Sequence, residues 1–220
     1  MNTVCPDERT TIGPRTRQID RAENTQIMSS TAKSVANSRS VTGIPTARLI
    51  TWWVIASEIV IFGGLLAIYL MHRLGHPEWG IAAAHTNTAA GAFNTFVLLT
   101  SSLCAVLAHK AADQQDGPRA AKLLRFTSLG GLVFLTVKGF EWAHDIREGF
   151  VISSGGFWSY YYTLAGLHGL HVLAGMVIML VVAADAAKNQ ELQRVECIGL
   201  YWHFVDIVWI FLFPLLYIAR

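Results

Sequence analysis

Hydrophobic residues fall into five long runs along this chain, and short polar segments separate them. The runs lie at approximately 49–72, 92–110, 123–143, 158–184 and 198–219. Each has about the 20 residues that an α-helix needs to cross the roughly 30 Å hydrocarbon core of a bilayer. The pattern therefore predicts an all-α polytopic membrane protein, a bundle of five transmembrane helices.

The first 48 residues have a different pattern. They are rich in Arg, Ser, Thr and Asn, contain no aromatic residue and show no apolar periodicity. Such a segment cannot bury a core, so we predict that 1–48 is a disordered cytoplasmic tail before a membrane domain at 49–220. The tail lacks the apolar stretch of a signal peptide, which makes the first helix an uncleaved insertion signal. Met28 is an alternative to Met1 as the start residue.

Composition supports the bilayer as the solvent. Hydrophobic residues make up 53% of the chain and charged residues only 15%, whereas about a quarter of a soluble domain is charged. Outside the apolar runs, most Lys and Arg lie in the tail or after the second and fourth runs. The segments after the first, third and fifth runs contain only Arg73, Arg147 and Arg220. Basic residues accumulate on the cytoplasmic side, so we expect a cytoplasmic N-terminus and an external C-terminus, with no nucleic-acid binding.

Glu58 lies near the middle of the first apolar run, with no basic residue within a helical turn. An ionisable side chain at that depth costs roughly 2.5–3.5 kcal/mol on insertion scales. Such a side chain is therefore expected to have an interaction partner or a functional role. Two interpretations stay open. Glu58 is either a proton-linked carboxylate or a neutral acid that makes one hydrogen bond to another helix.

Two other pairs of ionisable residues are spaced three apart within predicted helices. Lys138 and Glu141 share one helix face and can neutralise each other, which predicts a structural ion pair. His203 and Asp206 repeat this spacing in the last run, where the carboxylate can orient the imidazole.

His168 and His171 also lie three apart, in the stretch "GLHGLHV". Two imidazoles on one face can bind a metal or a haem, or can hold neighbouring helices by hydrogen bonds at the glycine-lined crossings. With His203 they allow a free-standing haem-binding membrane cytochrome as an alternative. The three cysteines share no metal-ligand spacing, and we predict no metal site.

Four motifs along the chain carry a family resemblance. They are "ASEIVIFGG", "NTFVLLTSS", "GLHGLHVLAG" and "YWHFVDIVWIFLF", and in this order they resemble cytochrome c oxidase subunit III of the haem-copper oxidases over roughly residues 50–218. The resemblance implies an accessory subunit of a bacterial respiratory oxidase, which transfers electrons from cytochrome c or quinol to oxygen. It implies no cofactor in this chain, haem and copper in the partner, and catalytic subunit I, subunit II and membrane phospholipids as partners.

The resemblance also assigns roles to individual residues. It implies that Glu58 is the reactive membrane carboxylate of a subunit that stabilises its catalytic partner and supports proton uptake. The other matching positions are implied to be structural polar residues, namely His168, His171, His203 and Asp206. The chain would be part of an oxidoreductase complex without being catalytic itself.

Two departures from the family pattern leave an alternative. Larger members have seven spans, and this chain lacks the first two. "VKGFEW" and "LFPLLYIAR" are more similar to the branch associated with nitric oxide reductase. The alternative is therefore a nitric-oxide-reductase-associated subunit, whose partner contains haem and non-haem iron.

Overall fold

Six helices make up the part of the chain that the computed structural model describes, residues 46–218. They are α1 (Thr46–Gly75), α2 (Trp79–Ala83), α3 (Thr88–Asp113), α4 (Gly117–Arg147), α5 (Gly156–Ala186) and α6 (Gln193–Phe213), the last continuing as a π-helical turn, Pro214–Ile218. Five of these helices are long and apolar enough to cross a membrane. The predicted fold class is therefore confirmed. Most of the predicted tail lies outside the described residues.

The long helices extend beyond the apolar runs because polar residues cap them. The Asn87 side chain accepts a hydrogen bond from the backbone N–H of Ala90 at the start of α3, at 3.0 Å. At the start of α4, the Asp116 carboxylate accepts one from the N–H of Arg119, at 3.1 Å. These caps satisfy backbone donors that the first turn of a helix leaves free. Polar first turns are thus helical although hydropathy places them in the loops.

The loop after α1 is more ordered than its turn-like sequence suggests, because it contains the short helix α2. The Trp79 ring stacks on His76 at a centroid distance of 5.3 Å and on Tyr69 at 6.1 Å, and it is buried. Glu78 lies just before α2. Hydrogen bonds from the backbone N–H of Glu78 and from the His76 side chain lower the pKa of its carboxyl group. Packing of the Trp79 ring on Tyr69 thus holds this segment against α1.

Glycines allow α4 to pack tightly against its neighbours. A Cβ added to Gly130 would lie 2.6 Å from the Cβ of Ser101 on α3, and one added to Gly131 would lie 2.8 Å from Trp202 on α6. These distances are shorter than any normal contact. Gly130 and Gly131 are therefore packing sites between α4 and its neighbours.

The first helix joins the bundle in another way. A Cβ added at Gly63 or Gly64 would meet no atom of the described chain within 4 Å. Instead, α1 contacts the other helices through large side chains. The Tyr69 hydroxyl, for example, donates to the backbone oxygen of Leu215 at 3.0 Å. Within the described chain, these two glycines of α1 are therefore not packing sites.

The outer surface of the bundle is apolar. Large side chains such as Trp53, Val60 and Phe140 are each 74% exposed. Apolar surface of this kind is unfavourable in water and is stable against lipid tails or another membrane subunit. The chain is a multi-pass membrane protein.

Candidate functional site

Two groups of ionisable side chains lie inside the bundle on different helices. One is the Glu58–His171 pair, which joins α1 to α5. The other is the Lys138 cluster, which we define as Lys138, Glu141, Tyr161 and Tyr217.

The Glu58–His171 pair lies near the middle of the membrane-crossing helices. Glu58 is the thirteenth of the 30 residues of α1. Its Oε2 lies 3.1 Å from Nε2 of His171, and the two side chains are 17% and 18% exposed. The partner that Glu58 requires is therefore an imidazole on another helix. From the sequence, His171 was expected to hold helices together or, in the cytochrome alternative, to bind haem, and its contact with Glu58 was not predicted.

The second nitrogen of His171 determines how protons are shared in this pair. Nδ1 lies 2.8 Å from the backbone oxygen of Leu167, which is only an acceptor, so Nδ1 carries a hydrogen. Nε2 of a neutral imidazole is then an acceptor, and its contact with Glu58 requires a protonated carboxyl. The other possibility is an imidazolium that donates to a carboxylate. In both states, one proton lies between Glu58 and His171.

Neighbouring side chains hold His171 in place. Phe62 lies one turn after Glu58 on α1, and its ring meets the His171 ring edge to face at a centroid distance of 5.2 Å. On α6, the Tyr201 hydroxyl donates to the backbone oxygen of His171 at 3.3 Å. The pair is thus enclosed on several sides by α1, α5 and α6.

His168 has a different environment from His171, although they lie three residues apart. Its side chain is completely buried, and neither ring nitrogen has a hydrogen-bond partner in the described part of the chain. The ring stacks on Trp209 at 5.2 Å and meets Phe134 edge to face at 5.4 Å. The predicted interhelical hydrogen bond of His168 is therefore wrong, because aromatic rings occupy its surroundings.

The Lys138 cluster contains the ion pair that the spacing predicted. The Lys138 ammonium donates to Oε2 of Glu141 at 3.2 Å and to the Tyr161 hydroxyl at 2.9 Å, and it also contacts the Tyr217 hydroxyl. The Tyr161 hydroxyl donates to the other oxygen of Glu141 at 2.9 Å. All four side chains are buried.

Sequence reasoning missed the two tyrosines of this cluster. Tyr161 is the second of three consecutive tyrosines, and Tyr217 follows Pro214 in the π-helical turn. Proline lacks the N–H that a regular helix requires, and the altered turn leaves Tyr217 buried within the bundle. The available signal was a hydroxyl-bearing aromatic residue near each helix end, which is also typical of lipid-facing anchors.

The remaining predicted pair, His203 and Asp206, does not form in the structure. Nδ1 of His203 is instead hydrogen-bonded to the Ser102 hydroxyl on α3, at 2.5 Å. Asp206 is 4% exposed, and no hydrogen bond or ion pair among the described residues joins it to His203. The expectation that Asp206 orients His203 is wrong, because α3 supplies the nearer polar group.

Potential metal ligands do not gather in the described helices. Across residues 46–218, no three His, Cys, Asp or Glu side chains come together in a geometry suited to a metal ion. Cys104 and Cys197 are free thiols.

Known proteins of similar sequence are named as subunits of oxidases. A family model, cytochrome c oxidase subunit III, matches residues 30–219. The probable cytochrome c oxidase subunit 3 of Nocardia farcinica is 34% identical over 171 residues, which cover 76% of this chain and 84% of the relative. The cytochrome bo(3) ubiquinol oxidase subunit 3 of Pseudomonas aeruginosa is 35% identical over 178 residues, which cover 76% and 82%.

Proposed function

This chain belongs to the cytochrome c oxidase subunit III family, and from that premise we propose that the Glu58–His171 pair is its proton-linked group. As a member, the chain is an accessory subunit III of a haem-copper oxidase and associates with the catalytic subunits of that oxidase. The proposal concerns what this accessory subunit contributes. This accessory subunit supports proton uptake by its partner and stabilises the assembled complex.

Electron transfer belongs to the partner in this proposal. Haem and copper are held by the catalytic subunits, and the polar groups of this chain bind no cofactor. Subunit I and subunit II are the expected neighbours, with phospholipids around the apolar surface. One relative is named for cytochrome c and another for ubiquinol, so the proposal keeps both as electron donors.

The contact that carries the proposal is the hydrogen bond between two titratable side chains on different helices. A neutral acid that only fixes packing needs a single acceptor of any kind, such as a backbone carbonyl. An imidazole as the acceptor gives the pair three protonation states, because it can lose its shared proton or gain a second one. Partial exposure at the bundle surface gives water or a partner subunit access for that exchange.

The test replaces Glu58 in the assembled oxidase. Glu58→Gln has a side-chain amide that can donate a hydrogen bond to Nε2 of His171. The amide, however, does not gain or lose a proton in the pH range in which carboxyl groups and imidazoles titrate. We expect normal assembly with several-fold slower turnover and proton uptake. Asp113→Asn is the matched control, because Asp113 is 68% exposed at the end of α3.

Two results would contradict the proposal. Unchanged turnover and proton uptake in the Glu58→Gln complex would assign the pair to packing alone. A complex that fails to assemble in Glu58→Gln, while Asp113→Asn assembles, would also make the role of Glu58 structural.

A further inference from the structure

The hydrogen-bond donors of the Lys138 cluster are all committed within the cluster. The three N–H groups of Lys138 are directed at Glu141, Tyr161 and Tyr217. Tyr161 has a single hydroxyl hydrogen, and its closest carboxylate acceptor is Oε1 of Glu141, at 2.9 Å. The Tyr217 hydroxyl lies 3.3 Å from that of Tyr161. Glu141 thus receives donors from both Lys138 and Tyr161.

Asp145 lies one turn after Glu141 on α4 and receives none of these donors. Its only hydrogen-bond contact from a side chain in the described region is with the Tyr161 hydroxyl, at 3.5 Å. That hydrogen is already directed at Glu141, which is closer. No ion pair within 4 Å joins Asp145 to a basic residue of residues 46–218. Asp145 is nevertheless only 3% exposed, so this carboxyl group is buried without a donor of its own.

A pocket of about 470 Å³ lies beside Asp145, between the end of α4 and the start of α3. Its lining includes Val137, Phe140, His144 and Asp145 of α4 and Asn87 and Ala90 at the start of α3. The Phe140 residue is 74% exposed and the His144 side chain 69%. These exposed residues show that the pocket opens to the surroundings of the bundle.

We infer that this pocket receives a basic side chain of a neighbouring oxidase subunit, whose cation donates hydrogen bonds to Asp145. This inference rests on the function proposed above. Inside the bundle, one ammonium group faces two carboxyl groups, so ionisation of both carboxyl groups leaves negative charge in excess. An uncompensated buried charge is strongly unfavourable. A guanidinium or ammonium group supplies both the charge and the donors that Asp145 lacks.

The dimensions and lining of the pocket favour a side chain over a bare ion. The described residues contain no set of three metal ligands, and about 470 Å³ is far larger than one cation. Val137 and the Phe140 ring provide an apolar wall for an aliphatic stem, and an aromatic face attracts a guanidinium group. Among basic residues, arginine matches this arrangement best, because its planar group can bind a carboxylate through two hydrogen bonds.

The first test measures how firmly the chain is held in the complex. A tagged chain is used to isolate the oxidase in mild detergent at increasing NaCl concentration, and the retained catalytic subunit is quantified. We expect Asp145→Asn to weaken retention at least about tenfold at every NaCl concentration, because it leaves the other charge of a buried pair unpaired and salt screens a buried pair only weakly. Asp113→Asn, the same substitution at an exposed site, should behave as the wild type.

The second test leaves Asp145 intact and therefore does not depend on the folding of a variant. Phe140 at the pocket rim is replaced by the photoreactive p-benzoylphenylalanine, and the assembled complex is irradiated. We expect a crosslink to a peptide of the catalytic subunits that contains Arg or Lys. Exchange of charges, with Asp145→Lys in this chain and Glu in place of that basic residue, should restore part of the retention lost in either single variant.

The outcomes separate this inference from the proposed function. If the wild-type chain isolates no oxidase subunit, the proposed function fails. If it isolates one and Asp145→Asn retains as much at every salt concentration, only this inference fails. It is also overturned by crosslinks to lipid alone or by retention that depends on one particular metal cation. An infrared band of a protonated carboxylic acid in the complex that disappears in Asp145→Asn would overturn it as well.

Discussion

His168 and His171 lie one helical turn apart on α5, yet their chemical environments are opposite. His171 shares a proton with Glu58 at 3.1 Å and contacts the Leu167 carbonyl through its other nitrogen. His168 is enclosed by Phe134 and Trp209, and its nitrogens have no partner in the described region. Only His171 therefore has the contacts of a proton-exchanging group.

This difference predicts that His168 contributes as an aromatic ring. His168→Phe keeps the stacking on Trp209 and removes two buried nitrogens without partners, so the free energy of unfolding should change by no more than about 1.5 kcal/mol. His168→Ala should lose about 2–5 kcal/mol, because it leaves a cavity. Denaturation of the isolated chain in detergent measures both values. Loss of a haem absorption spectrum in His168→Phe would contradict this and favour the cytochrome alternative.

The helices of this bundle pack in two different ways. Glycines bring α4 into close contact with α3 and α6, whereas α1 meets the other helices through long side chains such as Phe62 and Tyr69. Helix contacts in membranes depend on close van der Waals packing, because lipid provides no hydrophobic driving force between helices. The contacts of α4 therefore hold the bundle more rigidly than those of α1.

Two matched glycine substitutions test this difference. Gly131→Ala places a methyl group 2.8 Å from Trp202 and should lower the free energy of unfolding by about 1–3 kcal/mol. Gly63→Ala adds the same group where the described chain has no atom within 4 Å, so the isolated chain should be unchanged or up to about 1 kcal/mol more stable. Equal effects of the two substitutions in a denaturation experiment would contradict the packing described here.

The whole molecule is a bundle with an apolar exterior and ionisable groups at its helix contacts. Its membership in the subunit III family accounts for an exterior that must contact lipid and catalytic subunits. The nitric oxide reductase alternative concerns only the identity of the partner. Isolation of the intact complex therefore tests which partner this chain has.

We expect a C-terminally tagged chain, isolated from its native membrane in mild detergent, to bring a haem-copper catalytic subunit with it. The absorption spectrum of the preparation should belong to that partner, and the separated chain should be colourless. A non-haem-iron reductase subunit in its place would favour the nitric oxide reductase branch. A coloured chain without a partner would contradict both and favour the cytochrome alternative.

The orientation of the chain in the membrane can also be predicted. The distribution of Lys and Arg leads us to expect a cytoplasmic N-terminus and an external C-terminus in the bacterial plasma membrane. A cysteine placed at Ser154, between α4 and α5, should react with an impermeant thiol reagent in intact cells, whereas one at Gln190 should not. The reverse labelling pattern would overturn this orientation.

Reading the sequence alone was enough to predict the five membrane helices and the Lys138–Glu141 ion pair. The length of an apolar run is set by the thickness of the bilayer, and residues three apart on one helix must be neighbours. Both features are local, so periodicity and spacing are enough to predict them. The helix ends were less accurate, because the caps at Asn87 and Asp116 are polar.

The contacts between side chains of different helices, in contrast, became known from the tertiary structure. Glu58 contacts His171, His203 turns to Ser102 instead of Asp206, and Tyr161 and Tyr217 complete the Lys138 cluster. These partners are distant in sequence, and their contacts depend on the rotation and depth of each helix in the bundle. Rotation and depth follow from the packing of glycines and aromatic rings over several helices at once, which no local pattern of hydrophobic and polar residues encodes.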